Sequence, residues 1–182
     1  MRCIGFMILI AGAILAAGRS RLGAAGPETA GGPSAPGTAD PVGERTLGEV
    51  LAASPAWQRP GRAVDAALVT QLREIPPGWS LEAVYGHWCE DSVREMPILI
   101  ALLDRLGGRA PAVRWVAVDR AKRRPAAVIR RLGIERVPTF VVTRHGRELG
   151  RIVERAEPSL EAALLRILRS EPAAPPPAGP HP

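Results

Sequence analysis

The sequence predicts an α/β domain: a central mixed four-stranded sheet with helices on both faces and extra helices at its N-terminal side. Three observations predict it. Short apolar runs alternate with helical periodicities in the order βαβαββα across residues 79–169. The first two strands are joined by a helix, which makes them parallel through a right-handed crossover. The last two are joined only through His145-Gly146, where glycine supplies the positive φ that a tight hairpin needs.

Each element has a local signature. Thr46 to Ser54 reads as a short helix, capped by Thr46, with Leu47, Val50 and Leu51 on one face. Pro55 and Pro60-Gly61 interrupt it. A second helix spans about Ala63 to Glu74, with Val64, Leu68 and Leu72 four apart, and Pro76-Pro77-Gly78 stops it. Leu81 to Tyr85 is a strand. Asp91 to Leu106 is a helix with Val93, Met96, Ile100 and Leu103 on its apolar face. Val113 to Val118 is the second strand, and Pro125 to Leu132 is a helix closed by Gly133. Thr139 to Thr143 and Arg147 to Val153 make the hairpin. Ser159 to Leu168 is the last helix, with Leu160, Leu164, Ile167 and Leu168 spaced for one buried face.

Flanking segments differ in kind. Residues 1–25 have the form of a secretory signal: Arg2, an apolar stretch from Ile4 to Ala17, then small residues. The stretch is shorter than the roughly 20 residues of a membrane span. Arg19 and Arg21 follow it, so an uncleaved membrane anchor is the alternative to a cleaved signal. Either places the domain outside the cytoplasm, in a periplasmic or other extracytoplasmic space. Residues 26–43 read as a flexible linker, residues 44–170 as the domain, and residues 171–182 as a disordered Pro-rich tail.

The formal net charge is +6, which invites a nucleic-acid reading. Composition argues against it. Lys122 is the only lysine and asparagine is absent, while Arg, Ala, Gly and Pro dominate, as in a GC-rich coding sequence. The run Arg120, Lys122, Arg123, Arg124 is a solvated face, or steers acidic partners. Two cysteines occur, Cys3 within the leader and Cys89 within the domain, so a processed chain holds no internal disulfide. A disulfide between two copies of Cys89 remains open in an oxidising compartment.

Cys89 lies where the strand ending at Tyr85 gives way to the helix that follows. Helix N-termini present unpaired N–H groups and a partial positive charge, which favour a thiolate. His87 is two residues away and reads either as a stabiliser of the thiolate or as an exposed loop residue. His87, Cys89 and Asp91 alternate, but a metal site needs three or four converging ligands and no other cluster exists, so no metal or cofactor is expected. Trp88 is expected to pack beside the cysteine as a shield. Asp91 either opposes a neighbouring negative charge or accepts a proton.

Trp88-Cys89-x-x-Ser92, opening the first crossover helix of a βαβαββα order, resembles the thioredoxin family. Pro97 stands where that family's active-site helix carries a kinking proline. Arg131-Leu132-Gly133-Ile134 looks like the end of its next helix, and Val137-Pro138-Thr139 looks like its cis-proline loop, with Pro138 facing the cysteine. The resemblance covers residues 79–169, and residues 44–78 resemble the added N-terminal helices of bacterial thioredoxin-like proteins. It implies thiol–disulfide exchange with protein or small-molecule thiols and disulfides. Two departures narrow that. Ser92 replaces the resolving cysteine, and Ala83 replaces a buried proton-handling acid, with Glu82 pointing to the opposite face. Cys89 alone can form a mixed disulfide, so an outside thiol must resolve it. Ser92 can donate a hydrogen bond to the thiolate. The competing reading is a non-catalytic interaction module on the same fold.

Overall fold

A computed structural model describes residues 41–170. The expected leader, residues 26–40 of the linker and the C-terminal tail lie outside the described residues.

The expected order is present, with added pieces. Strand β1 is Gly43–Arg45, helix α1 Leu47–Ala53, and a 3-10 turn spans Pro55–Gln58. Helix α2 is Ala66–Glu74, strand β2 Trp79–Tyr85 and helix α3 Glu90–Leu106. Then come β3 Ala112–Ala117, α4 Ala126–Leu132, β4 Thr139–Arg144, β5 Arg147–Val153 and α5 Leu160–Arg169. The caps are local. Thr46 and Glu49 form a reciprocal capping box on α1, Asp65 caps α2 by accepting from Ala67 and Leu68 N–H, and Ser159 caps α5.

The sheet runs β1-β3-β2-β4-β5. It has five strands, not four. The addition is β1, a three-residue strand antiparallel to β3 in the register Gly43↔Ala117. Its sequence, Gly-Glu-Arg, has no apolar alternation, so only its pairing partner makes it a strand. Strands β2 and β3 are parallel, and β4 pairs antiparallel with both β2 and β5. At the β4–β5 turn, His145 and Gly146 both have positive φ, as the short hairpin requires.

Strand β2 is central; Trp79, Leu81, Ala83 and Tyr85 are buried on one face, while on the other Val84 is buried and Ser80 and Glu82 are half-buried. Leu81, Ala83 and Tyr85 face one core with α1, α2, α3 and α5, while Val84 faces the other with Val116, Val128, Leu132 and Val141. The buried stripe of α3 is not the expected one. Met96, Leu99, Leu102 and Leu106 are buried, whereas Val93 is 49% exposed and Ile100 and Leu103 are only half-buried. Residues 96–103 are apolar almost all round the helix, so periodicity fits two faces and the packing chooses one.

The N-terminal segment is fastened to the rest by a buried ion pair. Glu161 on α5 is fully buried; its carboxylate accepts from Arg62 Nη1 and Nη2 at 2.8 and 2.6 Å and from the Asp65 N–H at 3.0 Å. Burial alone would raise its pKa, but these donors outweigh it and hold the carboxyl at about 2.

Candidate active site

The site is built on one four-residue turn. The N–H of Cys89 donates to the Gly86 carbonyl at 3.0 Å, closing Gly86-His87-Trp88-Cys89 between β2 and α3. The two middle side chains pin this turn to opposite faces of the sheet. His87 reaches the N-terminal segment: its Nδ1 lies 2.7 Å from Ser54 Oγ, its ring stacks on Trp57 at 5.0 Å, and Tyr85 meets it edge-on. His87 is therefore a half-buried packing residue and not an exposed loop residue. Trp88 lies on the other side, where its Nε1–H donates to the Val118 carbonyl at 3.2 Å and the Arg120 guanidinium sits 5.6 Å over the ring. The indole lies directly on Gly86, where a Cβ would come within 2.6 Å of it. Trp88 thus packs on Gly86 and the end of β3.

Cys89 is the N-cap of α3, a 17-residue helix. The first-turn N–H groups that follow it are not used by any side-chain cap from Cys89. The thiol is half-buried, free of any disulfide, and donates to the Val137 carbonyl at 3.0 Å. Val137 and Pro138, joined by a cis peptide bond, are both buried. Val137 and Cys89 are therefore in direct contact, across 48 residues of chain.

Ser92 lies one turn on, fully buried, with Oγ accepting from the Gly86 N–H at 3.3 Å. It ties the helix to the turn. Asp91 is held by two guanidiniums, Arg94 on its own helix and Arg155 from the β5–α5 loop at 3.3 Å. The Arg94 hydrogen bond holds its carboxyl below the usual aspartate range against the opposing effect of desolvation, with a lesser contribution from Arg155. This favours an ionised Asp91 whose charge is offset, over a proton acceptor. Ala83 is fully buried in the apolar core below the site. Glu82 turns to the opposite face, as its strand position requires, and pairs with Arg131 at 2.9 and 2.6 Å.

His87, Cys89 and Asp91 thus point to three different sets of partners. Among the described residues, no group of three or more His, Cys, Asp or Glu side chains is arranged to hold a metal ion. Sequence reasoning missed Ser54, Trp57 and Arg155. Nothing local marks them, because each meets the site across 30 or more residues of chain. The chemistry open to this arrangement is that of a single nucleophilic sulfur, with no second thiol in the described domain.

No protein-family model matches the sequence, and no match is found among curated proteins. Solved structures similar in fold include thioredoxin f2 of Chlamydomonas reinhardtii (18% identity, 46% of this chain and 73% of that one, TM-score 0.35). Trxlp of Edwardsiella tarda is 23% identical over 58% of this chain and 94% of that one, with TM-score 0.36. The germline thioredoxin Deadhead of Drosophila melanogaster is 17% identical over 55% and 87%, with TM-score 0.38. Likenesses this distant add nothing to the chemistry of the site, and the fold stands on the strand order and pairing described above.

Proposed function

We propose that this chain is a thioredoxin-like monothiol protein that exchanges disulfides through Cys89. The Cys89 thiolate attacks a client disulfide. A new S–S bond joins Cys89 to one client sulfur, and the other client sulfur leaves as a thiolate with the electron pair. An external thiolate then attacks the mixed disulfide and takes over the client sulfur, releasing the Cys89 thiolate. No net oxidation occurs at Cys89. The single observation that supports this most is the position of Cys89: half-buried at the N-terminus of a 17-residue helix, where the first-turn N–H groups favour negative charge. Ser92 makes the outside thiol necessary, because a hydroxyl forms no disulfide. We further propose, from residues 1–25, that the chain is exported.

The test combines two measurements. Iodoacetamide should modify Cys89 at pH 7 faster than it modifies free cysteine, of which only about 3% is thiolate at that pH. A rate no faster than free cysteine overturns the reading. The wild type, which has no internal resolving thiol, should reduce insulin with dithiothreitol at least about fivefold more slowly than Ser92→Cys. Dithiol-type turnover by the wild type would overturn the one-thiol mechanism.

A further inference from the structure

A pocket of about 580 Å³ opens beside the cysteine's helix, between the 3-10 turn, α3 and the β5–α5 loop. That volume lies in the range of roughly 300–1,000 Å³ that ligand sites occupy. Its apolar walls include Trp57, Val93, Pro97, Ala156 and Pro158. Val93 is one of three large apolar side chains left exposed among the described residues. It sits four residues after Cys89 and Pro97 eight, so all three share one face of α3. At about 1.5 Å per residue, the pocket lies about 6–12 Å along the helix from the sulfur.

The charges around the pocket are unequal in freedom. Arg62 is committed to Glu161, and Arg94 lies between Asp91 and Glu95. Two rim arginines, Arg59 and Arg155, are less committed. Arg155 is 67% exposed and touches Asp91 only at 3.3 Å. Arg59 is exposed and has no ion pair among the described residues. Two acids line the pocket: Glu157 is exposed on the β5–α5 loop, and Glu95 has a side chain more than nine-tenths buried, with Oε1 3.3 Å from Arg94 Nε. Burial pushes the Glu95 pKa up, against the pull of Arg94.

We infer that this pocket is a client-selecting subsite for the Cys89 chemistry: it takes an apolar side chain two to four residues from the client's reactive cysteine, with an acidic neighbour held by Arg59 and Arg155. The spacing follows from geometry, since an extended peptide advances about 3.3 Å per residue. The occupant is a peptide segment because the pocket lies along α3 from Cys89 and does not contain it. The inference rests on the monothiol reading for its kinetic consequence, and on the pocket alone for binding.

The experiment uses peptides whose cysteine is activated as a mixed disulfide with 5-thio-2-nitrobenzoate. Attack by Cys89 forms the Cys89–peptide disulfide, breaks the peptide–aryl disulfide and releases the yellow aryl thiolate, which is followed by absorbance at pH 7. Ac-Glu-Phe-Gly-Cys-NH2 should react at least about tenfold faster than Ac-Gln-Ser-Gly-Cys-NH2. Val93→Asn should reduce that preference below about threefold, and Arg59→Ala should remove the part that distinguishes Glu from Gln, both without changing the iodoacetamide rate. A wild-type preference within twofold, or one that Val93→Asn leaves intact, overturns the proposal. A second measurement needs no reactive thiol. The unreactive Ac-Glu-Phe-Gly-Ser-NH2 should shift the NMR methyl signals of Val93 and Ile98, and no shift at millimolar peptide overturns the subsite. An inert Cys89 with those shifts present sinks the monothiol reading and leaves the subsite standing.

Discussion

Replacing Glu161 by Gln removes the one fully buried charge that joins the N-terminal segment to α5. Its carboxyl is held at about 2 in the folded chain, against an ordinary glutamate value of 4.5. At about 1.4 kcal/mol per pH unit of difference, ionised Glu161 stabilises the fold by about 3 kcal/mol at pH 7. The sign follows from proton uptake. Between pH 4.5 and 2 the unfolded chain binds the proton and the folded chain does not. The contribution is therefore complete above the unfolded value and is lost as pH falls through the folded one. It declines to about 1.5 kcal/mol by pH 3. Arg62, 38% exposed, regains water when its partner is neutralised, so the loss stays near this figure and does not reach that of a stranded buried charge. Urea unfolding of wild type and Glu161→Gln, followed by tryptophan fluorescence, should give a gap of about 3 kcal/mol at pH 7 that narrows by about half at pH 3. A gap below about 0.5 kcal/mol at pH 7, or one that does not change with pH, would refute the assignment of this pair as the fastening of the N-terminal segment.

Two further outcomes are expected. Gly86→Ala puts a Cβ 2.6 Å from the Trp88 ring, so the indole must leave its seat on the turn. The variant should lose about 1–3 kcal/mol of stability and show red-shifted Trp88 emission, measured against a background with the other tryptophans replaced by Phe; an unshifted spectrum would count against the packing described for Trp88. Residues 1–25 fused ahead of an alkaline phosphatase that folds only outside the cytoplasm should give active enzyme, and an inactive fusion would remove the proposed export.

Much of the fold was legible because it is locally encoded. The capping oxygens of Thr46 and Ser159, the turn at His145-Gly146 and the stop at Gly133 each act within four residues of where they stand. The position of Cys89 at the start of α3 was legible for the same reason, as was the outward turn of Glu82, which follows from strand alternation. His87 shows the limit. Its ring is ordered by Ser54 and Trp57, 33 and 30 residues earlier, and nothing in Gly86-His87-Trp88 announces either one.

The sequence by itself determined the order of the elements across residues 79–169, their ends to within two residues, and which single thiol the domain carries. It could do so because capping, turn conformation and apolar periodicity are short-range effects. The tertiary structure alone decided that Gly43–Arg45 is a fifth strand, since that segment has no pattern of its own and exists by pairing with β3. It alone decided which stripe of α3 is buried, because the helix is apolar on two faces and the packing against the sheet, α2 and α5 selects one. It also decided that Val137 meets Cys89, that Arg62 meets Glu161, and that a pocket opens next to Val93. These are contacts between groups far apart in the chain, and their geometry is set only when both cores close around the sheet.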